Sequence, residues 1–184
     1  MRSLFRLLLI VVLPLAGMAE ACAYELRVHG RVTDLFTGEG LAGVEVRVYR
    51  DGVQQHGFRT GMGGRYQVQL DNHVQYVLRF GGEGHVAKCF TIDTRGAVWE
   101  GDSRVKDVEV GITLFEEVPG LDLDFFDMPM GMGRFTPMTG LLTWNATYQE
   151  QIAPEMQHLM AEVRMRRTVV AGHVPPLPAG TARP

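Results

Sequence analysis

The sequence predicts a mainly β protein, an antiparallel sandwich of roughly seven strands followed by a short C-terminal α-helix. Three observations support this fold class. From residue 24 to about residue 115, apolar and polar side chains alternate with a period of two, which buries one face of a strand and wets the other. Glycine-rich turns separate these runs, and no stretch of helical period interrupts them. The absence of helical stretches argues against a parallel βαβ architecture.

The second predicted strand shows the alternation well. Val44, Val46 and Val48 alternate with Glu45 and Arg47. The same pattern occurs at 26–32, 66–70, 74–80 and 108–114. Each run therefore has one apolar face, and a second sheet packed about 10 Å away would cover these faces.

Turn residues mark the ends of the strands. The segments Thr37–Gly40 and Gly61–Gly64 each carry two or more glycines, and Asp51-Gly52 is a hairpin signal. Gly81–Gly84 forms another corner. Glycine suits these positions because tight turns often need a positive φ.

The segment His29–Gly52 resembles the opening of carboxypeptidase-regulatory-like domains. The matching motifs are Gly30, Val32-Thr33-Asp34, Gly38-Glu39-Gly40-Leu41, Val44–Val48, Gly64–Val68 and Gly84–Lys88. The resemblance spans about residues 24–95 and implies a transthyretin-like (prealbumin-like) sandwich with a carbohydrate-binding-like fold, used as an accessory module. Residues 84–94 also resemble secreted Bacteroidetes-type proteins of unassigned function. These motifs imply a fold and no active site.

The N-terminal residues 1–23 have the features of a secretory signal. Arg2 and Arg6 precede the apolar run Leu7–Ala16, which is about half as long as a membrane-spanning helix requires. Small residues follow at Ala21 and Ala23, as a signal-peptidase site requires. We therefore expect a secreted or periplasmic protein whose mature chain has no transmembrane segment, with a retained N-terminal anchor as the alternative.

The cleavage point decides the chemistry of the two cysteines. Cleavage after Ala23 removes Cys22 and leaves Cys89 alone. Cleavage after Ala21 makes Cys22 the first residue, where it could pair with Cys89 in an oxidising compartment or carry a lipid anchor to the outer envelope. The sequence leaves these three cases open.

The C-terminal third changes character, so we divide the mature chain into a sandwich at 24–116, a Met- and Asp-rich segment with an amphipathic helix at 117–168, and a tail at 169–184. Helical periodicity begins at about Gln149, and Pro154 fits the first turn of that helix. The apolar stripe consists of Ile152, Met156, Leu159, Met160 and Val163. The proline-rich tail is predicted to be disordered.

Met128, Met130 and Met132 form the most unusual local motif. Thioethers are soft ligands suited to Cu(I), so one hypothesis is a periplasmic copper-binding protein. The alternative is adaptable apolar packing, for which methionine is also well suited.

Exposed aromatic residues suggest a different role. Tyr49, Phe58 and Trp99 could stack on sugar rings, which together with the fold makes carbohydrate binding a hypothesis. The preferred interpretation is a secreted, non-catalytic module with a binding or structural role at the cell envelope. Its partner would be an unknown envelope protein or a glycan.

Composition excludes several other classes. A formal charge of −3 and a pI near 6.1 argue against nucleic-acid binding. The sequence has no Gly-x-Ser-x-Gly motif, and its only serines are Ser3 and Ser103. Its six histidines show neither His-x-His nor His-x-x-x-His spacing. We therefore predict no enzymatic activity and no cofactor.

Overall fold

The computed structural model describes residues 25–95, 105–136 and 138–172, with side chains as far as residue 168. Its strands are β1 (Glu25–Asp34), β2 (Glu45–Arg50), β3 (Val53–Arg59), β4 (Arg65–Asp71), β5 (Gln75–Gly82), β6 (His85–Asp93), β7 (Val105–Glu109), β8 (Ile112–Leu114), β9 (Pro129–Thr136) and β10 (Leu141–Trp144). The described residues also contain two short 3₁₀ helices and one α-helix. These are Met62–Gly64, Asp124–Asp127 and α1 (Ala146–Gly172).

The strands form two sheets that face each other as a β-sandwich, which confirms the predicted fold class. The smaller sheet has the order β4-β1-β7, and β8 pairs with the end of β1. The larger sheet has the order β10-β9-β6-β5-β2-β3. The described residues contain ten strands rather than about seven, and the sheets are mixed, because β7 and β8 run parallel to β1 and β9 runs parallel to β6.

The apolar residues at alternate strand positions form the main core between the two sheets. In β1 the side chains of Leu26, Val28 and Val32 are completely buried. Gly30 takes the inward position between them because the neighbouring backbone leaves no room for a side chain. A Cβ on Gly30 would lie 2.0 Å from the carbonyl oxygen of Val110. The members of this main core are Leu26, Val28, Val32, Val44, Val46, Val48, Tyr66, Val68, Leu70, Val74, Tyr76, Leu78, Phe80, Phe90, Ile92, Val110, Ile112, Leu114 and Phe135.

A second core joins α1 to the sandwich. It contains the buried side chains of Val86, Phe115, Phe126, Leu159 and Val163. The apolar stripe predicted for the helix is therefore the surface that packs, with Met156 and Met160 partly buried beside it. None of the described helices is sufficiently long and apolar to cross a membrane.

The helix begins before the position that its periodicity predicts. Asn145 precedes the first turn, and its side-chain Oδ1 accepts the backbone N–H of Tyr148 at 3.0 Å, which is an N-cap interaction. The sequence predicts Pro154 in the first turn of the helix. That prediction is wrong, because Pro154 lies inside α1.

Candidate binding site on the outer face of the larger sheet

The larger sheet presents a row of arginines on its outer face. Strand β2 buries Val46 and Val48 in the main core, so its alternate residue Arg47 points outward. The antiparallel pairing of β2 with β5 places Arg47 directly opposite Arg79. Pairing of β2 with β3 places Arg59 opposite Glu45. Because Glu45 lies two residues before Arg47, Arg59 is on the same face as Arg47. Three guanidinium groups from three adjacent strands therefore share one surface.

These arginines border a concavity of about 370 Å³, which we call the arginine groove. Its lining residues are Glu45, Arg47, Arg59, Arg79, Gly81, Gly82, Glu83, His85 and Ala87. Small residues give the groove its depth, because a Cβ added to Gly81 would already lie 3.3 Å from the Cβ of Ala87. A ligand can therefore approach the backbone of β5 between the charged side chains.

Each guanidinium in the groove has at least one partner within the protein. Arg47 Nη2 donates to Glu45 Oε2 at 2.6 Å, and Arg59 Nη1 donates to the carbonyl oxygen of Gly43 at 2.8 Å. Arg79 Nη2 forms an ion pair with Asp127 from the second 3₁₀ helix. A guanidinium carries five N–H donors, so further donors on each arginine remain for a ligand.

The carboxylate of Glu45 is ionised at neutral pH. The hydrogen bond from Arg47 lowers the pKa of Glu45, and the nearby charges of Arg47 and Arg59 act in the same direction. The side chains of Glu45 and Glu83 both line the groove and add acceptors to a site whose other groups are mostly donors. This mixture can bind a ligand that presents both carboxylate and hydroxyl groups.

The groove continues toward the loops that follow β8. A second concavity of about 500 Å³ shares Arg79, His85 and Ala87 with the arginine groove. Beyond the shared residues it is lined by residues 117–121 and by Leu123, Asp124 and Asp127. Its charged residues beyond Arg79 are the carboxylates of Glu117, Asp124 and Asp127, so the positively charged part of the surface ends near Arg79.

A third concavity, which we call the second groove, lies at the other end of the same outer face. It has a volume of about 540 Å³, and its lining residues are Gln75, Thr91, Asp93, Arg95, Met132, Gly133, Arg134, Thr136, Thr143, Trp144 and Asn145. The register of β6 with β9 pairs Thr91 with Met132 and Asp93 with Arg134. Arg95 holds Asp93 through two hydrogen bonds, from Nε to Oδ1 at 2.9 Å and from Nη2 to Oδ2 at 3.1 Å.

Sequence analysis missed both grooves as sites. It identified Arg47 only as a polar position of a strand, and it did not consider Arg59, Arg79 or Arg134. The available signal was a set of arginines at outward positions of several strands. That signal has no functional meaning until the strand order brings β2, β5 and β3 side by side.

Of the three aromatic candidates, Tyr49 and Phe58 lie on opposite faces of the larger sheet. Tyr49 lies half-buried on the outer face, next to Arg47 on β2 and opposite Val77 of β5. Phe58 pairs with the inward residue Val46, packs against the main core, and stacks on His56 with ring centroids 6.3 Å apart. Trp99 lies outside the described residues.

The three methionine candidates lie in different surroundings. Met128 is 43% exposed at the end of the second 3₁₀ helix, Met130 packs against the second core, and Met132 lines the second groove. Within the described residues, no group of three or more His, Cys, Asp or Glu side chains is placed to hold a metal ion.

Of the two cysteines, Cys22 lies outside the described residues. Cys89 is a buried free thiol whose Sγ lies 3.5 Å from the carbonyl oxygen of Asp127. Burial has the largest effect on the pKa of this thiol and raises it. The positive charge of Arg79 lowers the pKa by less, and the negative charge of Asp127 raises it by less still. The thiol form therefore dominates at neutral pH.

No protein-family model matches the chain, and no curated protein matches it either. Partly similar solved structures include the TIE protein of Bacillus anthracis, with 13% identity, a TM-score of 0.41, and coverage of 50% of this chain and 18% of that one. Catechol 1,2-dioxygenase from Acinetobacter sp. ADP1 has 13% identity and a TM-score of 0.39, with 57% of each chain covered. The pilus 2b backbone protein of group B streptococcus has 10% identity and a TM-score of 0.36, covering 50% of this chain and 41% of that one. This chain spans less than two-thirds of the length of each.

These comparisons correct one prediction. We predicted that the chain is not an enzyme. That prediction is wrong, because catechol and hydroxyquinol 1,2-dioxygenases are among the similar structures. At 10–13% identity the similarity assigns no reaction to this chain.

Proposed function

We propose that this chain is a secreted cell-envelope module that binds an acidic glycan in the arginine groove. One observation carries the proposal: three guanidiniums from adjacent strands surround a depression floored by Gly81 and Ala87. Each guanidinium is held by a partner within the protein, so the site is organised before a ligand arrives. Organisation in advance reduces the ordering cost of binding.

Uronic acid sugars match the chemistry of the groove. Their carboxylates can accept paired N–H donors from a planar guanidinium, which is a strong and directional contact. Their hydroxyl groups can donate to the carboxylates of Glu45 and Glu83, which line the same groove. A simple inorganic anion would offer those two carboxylates no hydrogen-bond donor.

The sequence supports the location and the fold family in this proposal. The short apolar run Leu7–Ala16 and the small residues after it are typical of a secretory signal. The motifs of His29–Gly52 support a transthyretin-like, carboxypeptidase-regulatory-like sandwich, a kind of module that accompanies enzymes or transporters. An exported module would meet acidic polysaccharides outside the cytoplasm.

The test is binding of digalacturonate to the wild-type chain and to the double variant Arg47→Gln/Arg59→Gln. We expect the variant to bind at least about tenfold more weakly at the arginine groove, because each lost contact is a charge-assisted hydrogen bond. Isothermal titration calorimetry measures this change, and circular dichroism checks that the variant folds.

The matched control is Arg31→Gln/Arg65→Gln. These two arginines are also cross-strand neighbours, but they lie on the smaller sheet, and Arg31 Nε donates to a backbone carbonyl as Arg59 does. The control should bind digalacturonate as the wild type does. Equal losses in the two double variants, or no binding by the wild type, would refute the proposed site.

A further inference from the structure

We infer that the outer face of the larger sheet binds an extended polyuronate chain, which occupies the arginine groove and the second groove at the same time. This inference rests on the proposed function and adds the length and repeating charge of its ligand. It starts from the observation that two grooves with similar chemistry open on one side of one sheet.

The strand register places both grooves on that side. On β5 the outward residues run Arg79, Val77, Gln75, because Tyr76, Leu78 and Phe80 are buried in the main core. Arg79 belongs to the arginine groove and Gln75 to the second groove. On β6 the corresponding pair is Ala87 and Thr91, which are four residues apart, as are Arg79 and Gln75 on β5. At about 3.3 Å per residue, the facing ends of the two grooves are separated by roughly 13 Å.

The surface between the grooves is open along β2 and β5. Tyr49 and Val77 pair across these two strands and are half-buried, whereas Cys89 and Thr91, at outward positions of β6, are buried. Tyr49 also interacts with Arg47, whose pKa is raised mainly by Glu45 and further by Tyr49. A chain leaving the arginine groove would therefore cross the phenol ring of Tyr49 before it reached Gln75.

The second groove repeats the donor set of the first. Arg134 is exposed on β9 opposite Asp93 of β6, and Arg95 donates two hydrogen bonds to the Asp93 carboxylate, so two arginines again accompany an acceptor. Thr91, Thr143 and Asn145 add hydroxyl and amide groups. Two such sites on one face fit a polymer whose carboxylates recur along its length, whereas a single small ligand would use only one.

The experiment compares digalacturonate with an oligogalacturonate long enough to span both grooves. Calorimetry should give two digalacturonates per protein but one long chain per protein. The long chain should bind roughly a hundredfold more tightly than the disaccharide, because binding at the first groove makes binding at the second intramolecular.

The double variant Arg95→Gln/Arg134→Gln separates this inference from the proposed function. It should reduce the disaccharide stoichiometry to one and remove the extra affinity of the long chain, while the Arg31→Gln/Arg65→Gln control keeps both. If both ligands bind once with equal affinity, and Arg47→Gln/Arg59→Gln abolishes that binding, the arginine groove is a site but the extended chain is refuted. If neither ligand binds, the proposed function and the inference are both wrong.

Discussion

Lys88 is a buried lysine in the sandwich, and its burial costs stability. Its side chain is only 7% exposed, at an inward position of β6 between Val86 and Phe90. The Nζ atom donates to the carbonyl oxygen of Thr113 at 2.9 Å and lies 4.7 Å from the ring centroid of Phe115. These contacts do not replace the lost water, and burial lowers the pKa of the amine to about 8.

Replacing Lys88 by Met should therefore stabilise the protein at pH 7, by roughly 2–3 kcal/mol. In the folded state the wild-type amine releases its proton near pH 8, whereas the unfolded chain keeps it up to the ordinary pKa of 10.5. Between these values the unfolded state holds more protons, so the free energy of unfolding of the wild type rises with pH. Below pH 8 both states are protonated and the full penalty applies.

Urea unfolding between pH 6.5 and pH 10.5 measures this effect as the difference between the wild type and Lys88→Met. The difference should be largest below pH 8 and shrink as the pH rises toward 10.5. Lys106→Met is the matched control, because Lys106 is the other lysine of the chain and is only half-buried. A constant difference across this range, or a destabilised Lys88→Met, would contradict the assignment.

The alternation predicted most inward residues of the core correctly but did not single out Lys88. Val86, Lys88, Phe90 and Ile92 occupy alternate positions of one strand, so the pattern alone places a lysine inside. That signal was available in the sequence. Whether the amine reaches water or Phe115 depends on the segment after β8, and the pattern of β6 contains no information about it.

At the scale of elements, α1 is held to the sandwich by a small set of apolar contacts. Leu159 is 8% exposed and lies in the second core with Phe115 and Phe126. Most of the stability of a helix in a protein comes from tertiary packing of its apolar face, so these contacts must supply most of the stability of α1. Arg166 adds a hydrogen bond from Nη1 to the carbonyl oxygen of Gly120 at 2.9 Å.

Leu159→Ala should lower the free energy of unfolding by roughly 2–4 kcal/mol, because it removes buried methyl groups and leaves a cavity. Chemical denaturation monitored by circular dichroism measures the loss. Met165→Ala is the control on the same helix, since Met165 is exposed, and it should change the stability little. Similar losses for both substitutions would show that α1 does not pack through the second core.

Two strands escaped the sequence prediction for identifiable reasons. Strand β3 lies at the edge of the larger sheet and is mostly exposed, so Val53–Arg59 has no regular apolar face. Strand β9 has glycines at 131 and 133, where alternation would require apolar side chains. Their positions are covered by Trp144 and Leu142, and a Cβ at either glycine would lie 2.9 Å from one of these side chains. Packing against small residues therefore hides the strand pattern.

At the scale of the whole molecule, the order of the strands is what the sequence could not provide. Pairing of β1 with β7 and of β6 with β9 joins segments far apart in the chain and in parallel orientation. Local alternation fixes which side chains point inward, but it does not fix which strands become neighbours. The arginine groove depends on that order, because Arg47, Arg59 and Arg79 meet only when β3, β2 and β5 are adjacent.

The same topology couples the two cores. Leu114 belongs to the main core and the next residue, Phe115, to the second core. Strand β6 likewise contributes Val86 to the second core and Phe90 to the main core. Neither core can lose its packing without displacing a strand that the other core shares. We therefore expect the sandwich and α1 to unfold in one cooperative transition.

Thermal unfolding followed by two probes tests this expectation. Far-UV circular dichroism at the helical minimum reports on α1, and near-UV circular dichroism reports on aromatic packing, including the edge-to-face contact of Phe90 and Trp144 in the sandwich. The two curves should share one midpoint, and Leu159→Ala should move both curves by the same amount. If the helical signal melts first while the aromatic signal keeps its wild-type midpoint, the cores are independent. The coupling through β6 would then be refuted, because losing the second core would cost the main core nothing.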